Sequence, residues 1–351
     1  MSLRKLNSLI LMAALVFAAV SCKDDDEDTT LPSLDGLLQL NVPEFVNPGQ
    51  SVTMKPRGLE HPDGENIGYY WKVTPTMTSY DTTRYENGLN YWNEESDGSF
   101  TFKFTDTLQT CTVYCYGFAE GYSNSSASYT TTVVKSGPDG SLQGMDIFGD
   151  TPYVTVDGVK HYYVRHGSLD WFRTNLAQTA SGIPFRNSAA MSDIFGHFYN
   201  YEDAMTACPE GWRLPTEADW ISLGKEITGA EDLEMYAPIP DVAAKMMANA
   251  TFNGDILWEY WPEVGTITND SFMTMIPVGF ANLGQETDGA YPGAIFDGVY
   301  EYAAFWTADA VEDEPGMAYY RYLTYDQPFM AIGKGDADSF GASVRCVRDV
   351  E

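Results

Sequence analysis

The chain has 351 residues, 44% of them hydrophobic, which is enough for two globular modules that each bury a core. Fifty acidic against 20 basic side chains leave a net charge of -30, which repels nucleic-acid phosphate and anionic lipid surfaces and argues against a nucleic-acid partner. The five cysteines are few for a disulfide scaffold and odd in number, so one, Cys22, is expected to have a separate fate.

Arg4 and Lys5 precede an apolar run from Leu9 to Val20, long enough for a signal-peptide core and short for a bilayer span. The run ends in Ala19-Val20-Ser21-Cys22, which resembles a bacterial lipobox, with Ala19 standing where that family usually has Leu. The resemblance implies that residues 1–21 are a lipoprotein signal peptide and that Cys22 is acylated. An ordinary secretory signal cut nearby is the alternative. Lys23-Asp24-Asp25-Asp26-Glu27-Asp28 then opens an acidic tether over residues 22–35, too charged to pack. Its place after a lipidated cysteine resembles the export signal of Bacteroidota surface lipoproteins. That implies a lipid-anchored protein on the outer membrane, facing the exterior, held by acyl chains without a transmembrane helix. As a metal-binding tail the run lacks the preorganised geometry of a calcium cage.

From residue 36 to 135 short alternating apolar segments are separated by Gly, Pro, Asn and Asp. The expected strands are Leu37 to Val42, Ser51 to Lys55, Ile67 to Val73, Ser99 to Phe104, Thr110 to Phe118 and Ser128 to Val134, a spacing that indicates an antiparallel sandwich. Asn47 to Val52, Tyr70-Trp71-Lys72-Val73 and Tyr114 to Tyr122 resemble bacterial Ig-like or polycystic-kidney-type repeats, which makes Trp71 the expected central core tryptophan. On a regular strand Cys111 and Cys115 share a face but sit roughly 13 Å apart. A disulfide needs Cα atoms within about 7 Å, so two buried free thiols are expected.

Ser136-Gly137-Pro138-Asp139-Gly140 punctuates the chain, and residues 136–150 are the expected linker to a second module over 151–351. Tyr153 to Val156, Asp157-Gly158 and Lys160 to Val164 read as a hairpin with a two-residue turn. Asn200 and Asp203 can cap a helix running up to Cys208. Pro215 biases Leu214 away from helix; Thr216 then caps a second helix with Asp219 as partner, Trp220, Leu223 and Ile227 follow at helical spacing, and Gly229 ends it.

Cys208-Pro209-Glu210-Gly211-Trp212-Arg213-Leu214-Pro215-Thr216, continued to Trp220, resembles the Fibrobacter major paralogous domain. Its R-L-P-T-E-A-x-W part is similar to the formylglycine-generating sulfatase-modifying family. Trp171-Phe172-Arg173-Thr174-Asn175-Leu176, Gly196 to Tyr201, Trp306-Thr307 and Ser343-Val344-Arg345-Cys346-Val347 resemble further blocks of the first family, in order. The resemblance implies a C-type-lectin-like fold. The fold class expected for the whole chain is therefore mainly β plus α+β, an N-terminal Ig-like β-sandwich followed by a C-type-lectin-like α+β domain. The terminal block also supplies a partner for Cys208, so a Cys208–Cys346 disulfide is expected, in a compartment where such a bond persists.

The formylglycine-generating chemistry uses, by that resemblance, a cysteine pair in the C-terminal quarter, and Tyr319 to Tyr325 contains none. No H-E-x-x-H or serine-elbow motif frames His61, His161, His166 or His197, and 50 scattered carboxylates make chance pairs inevitable. No catalysis, cofactor or metal is therefore expected. Asp336 and Asp338 form a loop of calcium-binding composition, but the lectin family's calcium motifs are absent at Gln327-Pro328-Phe329. Trp258-Glu259-Tyr260-Trp261-Pro262-Glu263 combines rings with carboxylates, a composition suited to a glycan or protein ligand, against the alternative that the tryptophans fill the core. The expected role is non-catalytic recognition at the cell surface; a structural part of a surface assembly and a glycan-directed hydrolase are the alternatives.

Overall fold

A computed structural model describes residues 30–74, 92–93, 98–104, 110–178, 180–284 and 293–350. The expected signal peptide, Cys22 and the acidic run behind it lie outside the described residues. The chain is mainly β, built from several small sheets.

Over residues 35–133, alternation of apolar and polar side chains becomes strands with one face inward. They are β1 (Asp35–Leu40), β2 (Phe45–Val46), β3 (Ser51–Met54), β4 (Pro56–Glu60), β5 (Gly68–Thr74), β6 (Trp92–Asn93), β7 (Phe100–Lys103), β8 (Thr110–Phe118) and β9 (Ser125–Val133). A five-stranded sheet runs β2-β9-β8-β5-β6, and β1 pairs with β4 and β3 with β7. Every second residue of β8 is buried, so Cys111 and Cys115 share the inner face as free thiols. Trp71 sits opposite Cys115 on β5, stacks on Phe100, and donates its indole N–H to Gly98 O at 2.8 Å, so its burial leaves no unpaired donor.

Two stretches read as connectors are packed. Leu34, near the end of the expected tether, is buried, and Asp35 opens β1. In the expected linker, β10 (Leu142–Gln143) pairs with β16 (Thr251–Phe252), and Met145 and Ile147 are buried. They share a core with Phe45 and Val134 on one side and Phe185, Phe195 and Phe252 on the other. The Ser188 hydroxyl crosses the same junction to donate to Phe45 O at 2.9 Å. Four apolar side chains in this stretch outweigh its Gly and Asp punctuation, because leaving them in water costs more than ordering the loop.

After that stretch come β11 (Tyr153–Val156) and β12 (Val159–His166), joined by Asp157 and Gly158 at φ 50 and 86, the backbone a primed hairpin turn requires. β13 (Leu169–Phe172) follows β12, and the closing strand β24 (Val347–Asp349) completes that sheet. Between them lie β14 (Ile183–Pro184) paired with β15 (His197–Phe198), β17 (Asp255–Ile256) beside β16, and two three-stranded sheets. One holds β18 (Phe280–Leu283), β19 (Ala294–Asp297) and β23 (Phe340–Gly341); the other is β20 (Tyr302–Ala310), β21 (Met317–Thr324) and β22 (Ala331–Asp336).

The helix Tyr201–Ala207 starts where Asn200 accepts from the Asp203 N–H, and the helix Glu217–Thr228 carries the full Thr216/Asp219 capping box and ends at left-handed Gly229. Trp220 is buried against Trp171, with ring centroids 4.8 Å apart. Arg213 holds Asp219 at 2.5 Å and Asp349 at 3.3 Å, tying the helix cap to the closing strand. Cys208 and Cys346 are disulfide-bonded, with Cα atoms 5.8 Å apart.

Candidate functional site

The segment after β17 alternates between inside and outside. Trp258 is only 2% exposed and donates its indole N–H to Met275 O at 2.8 Å. It belongs to the core around Trp220, Ile239 and Phe305, which removes it from the expected ligand-binding set, since a ring without solvent-facing surface cannot stack on a ligand. Tyr260 and Trp261 are 67% and 37% exposed, and Glu259 and Glu263 are exposed beside them. Trp261 O accepts from the N–H groups of Val264 and Gly265, a turn that holds the rings at the surface.

Trp261 meets Tyr325 edge-on, ring centroids 5.4 Å apart. Tyr325 is placed by the β20–β21 hairpin, whose register sets Tyr302 opposite Thr324, and its N–H donates to Glu301 O at 3.0 Å. Glu301 and Tyr302 in turn donate their N–H groups to Gly298 O, and Gly298 takes φ 71 to make that turn. A cleft of about 250 Å³ opens there, lined by Asp297, Glu301, Tyr302, Thr324, Tyr325 and Asp326, with no lysine or arginine in its wall.

The back of the cleft is aromatic. Phe280 meets Tyr302 edge-on at 5.6 Å, Tyr302 stacks on Tyr322 at 4.9 Å, and the Tyr302 hydroxyl donates to that of Tyr320 at 3.2 Å. Burial, and then the carboxylates of Asp326, Glu301 and Glu259, push the Tyr325 phenol above its ordinary pKa; burial and neighbouring phenols do the same for Tyr302. Both phenols are thus protonated at neutral pH; the Tyr302 hydrogen goes to Tyr320, and the Tyr325 hydroxyl sits among carboxylates. Stacking rings beside acids suit the flat face and hydroxyls of a sugar, or an aliphatic or cationic side chain of a peptide.

The other residues weighed from the sequence serve elsewhere. His161 and His197 are buried, His166 bonds Glu226 and Ser271 O, and His61 meets the Tyr122 ring. Asp336 accepts from the Asp338 and Ser339 N–H groups and the Ser339 hydroxyl, so its own loop engages it. Among the described residues no group of three or more His, Cys, Asp and Glu is arranged to hold a metal. Asp297, Tyr302, Tyr320, Tyr322, Tyr325 and Asp326 were not foreseen as site residues. For Tyr320 and Tyr322 alone the sequence carries a signal, the alternation Tyr320-Arg321-Tyr322, since period two puts both tyrosines on one face of a strand.

Fold and site together define a mainly β protein whose disulfide-closed module presents an aromatic, acidic edge. Residues 164–348, more than half of the chain, match the Fibrobacter succinogenes major domain, and the chain belongs to that family. The match runs from β12 to β24 and takes in both cysteines of the disulfide. No curated protein matches the chain.

Proposed function

We propose that the protein is a non-catalytic recognition protein of the cell surface, which binds a glycan or protein ligand through the edge formed by Glu259, Tyr260, Trp261 and Tyr325. The carrying observation is that Trp261 and Tyr325 stand in edge contact at the surface, beside a cleft walled by Asp297, Glu301 and Asp326. Aromatic rings grouped at the surface beside polar residues are the kind of patch that marks an interaction site. On this reading the N-terminal module is an Ig-like spacer and the C-terminal module a C-type-lectin-like head. Cys22 carries a lipid anchor in the outer membrane, and the acidic run is a stalk. The -30 net charge supports a partner other than nucleic acid.

The test is a glycan and extracellular-matrix array with the whole secreted chain, comparing wild type with Trp261→Ala and with Tyr325→Ala. The reading expects saturable binding that either substitution weakens at least tenfold in a protein that still folds. An array signal unchanged in both folded variants removes the edge as the binding surface.

A further inference from the structure

A second chamber of about 250 Å³ lies between residues 136–148 and the part of the chain that follows them. Its apolar wall comes from the stretch read as a linker, Met145, Ile147 and Phe148, facing Ile276. Its polar side carries His161, Asn175 and Arg345, all buried. Lys160 and Asp193 are exposed residues of the lining, so its rim holds one charge of each sign.

The buried donors here are short of acceptors. Arg345 donates from Nε to Asn175 Oδ1, from Nη1 to the carbonyls of Phe172 and Met273, and from Nη2 to Thr274 O. None of these acceptors is charged, and Nη2 has used only one of its two hydrogens. Burial, and then the neighbouring Arg173, push Arg345 down to about 9. His161 lies parallel to the Phe172 ring and 3.2 Å from Thr174 Oγ1 through Nδ1. Among the described residues its Nε2 meets no partner in hydrogen-bond geometry, although the Ala177 backbone still acts on the ring, raising its pKa against the effect of burial. A buried guanidinium without a counter-ion and a buried ring nitrogen without a partner are each costly in a protein interior.

We propose that this chamber binds a small amphipathic carboxylate, its head group between His161 and Arg345 and its apolar body against Met145, Ile147 and Ile276. A carboxylate accepts the free guanidinium hydrogen and the imidazole N–H together, the charge-assisted pairing that is strongest in low dielectric. The volume suits a body larger than benzene, which a cavity of about 150 Å³ holds. This site is separate from the aromatic edge and does not depend on it.

The experiment is calorimetric titration of the full chain at pH 7 with octanoate, 1-octanol and octylamine, all kept monomeric. Octanoate is expected to bind one to one, at least tenfold tighter than octanol, with no saturable binding of octylamine. Ile276→Trp fills the chamber and should abolish binding. Val159→Trp, at the rim and less demanding of the core, should do the same if Ile276→Trp fails to fold. His161→Phe keeps the stacking on Phe172 and should weaken octanoate about tenfold while leaving octanol unchanged. Equal affinity for octanoate and octanol, absence of binding by octanoate, or full binding by a folded Val159→Trp protein would each overturn the proposal.

Discussion

Glu217 and Arg321, 104 residues apart, form an ion pair from which water is fully excluded. Arg321 Nε–H donates to Glu217 Oε2 at 2.9 Å, its Nη1 reaches Ala237 O at 2.7 Å, and Glu217 Oε1 also accepts the Tyr236 N–H. The pair pins the first turn of the helix Glu217–Thr228 to the middle of β21, the strand that leads into Tyr325. A buried pair whose members are satisfied is costly to break from one side, because the survivor keeps its charge without compensation.

Glu217→Leu or Arg321→Met alone should therefore lower stability by about 3–5 kcal/mol. The double variant should lose less than the sum of the two. Urea unfolding in a double-mutant cycle measures the coupling; strict additivity would show that the two groups do not stabilise each other.

The Cys208–Cys346 bond closes a separation of 138 residues and ties the end of the helix Tyr201–Ala207 to the residue just before β24. Replacing both cysteines with serine should cost up to roughly 5 kcal/mol in the chain-entropy picture. The readout is the denaturant midpoint of the oxidised wild type against the double variant, and a midpoint unmoved by the loss of the bond contradicts this.

Trp258 and Trp261 should separate cleanly. Trp258→Ala empties a core position and removes a hydrogen bond, so about 3–5 kcal/mol of stability should go. Trp261→Ala, at the surface, should stay within about 1 kcal/mol of wild type. Thermal melts of the two variants decide it, and similar losses in both would contradict the inside-outside assignment.

Burial pushes His161 down to about 4 and lowers His197 as well, so both are neutral in the fold. An unfolded imidazole titrates near 6.5. Below about pH 6.5 the unfolded chain takes up protons that the native chain refuses, so stability falls from there towards pH 4, and this effect is constant above 6.5. Each histidine contributes at most about 1.4 kcal/mol per pH unit. Denaturant midpoints between pH 7.5 and 4.5 should fall less steeply for His161→Phe than for wild type; parallel curves would exonerate His161.

Burial also pushes the Cys111 thiol up to about 12 and raises Cys115, so neither is thiolate at neutral pH. Iodoacetamide treatment of the native protein followed by peptide mapping should leave both unlabelled, with complete labelling once denaturant is added. Labelling of either in the native state would mean that the inner face of β8 opens.

The features legible in the sequence depend on residues a few positions apart. Thr216 and Asp219 form their capping box because both partners lie within one turn, Asp157-Gly158 sets its hairpin by its own backbone preference, and alternation along β8 is enough to put two cysteines inward. The Cys208–Cys346 bond was legible only through the likeness of two distant blocks to a family. Trp258 and Trp261 look alike in the sequence, and only the Met275 carbonyl and the Tyr325 ring, brought up from other parts of the chain, send one inward and leave the other out. The same holds for the packed linker and for Arg345 without a charged partner. Burial and charge pairing are properties of what the rest of the chain brings to a residue, so they are decided when the core closes.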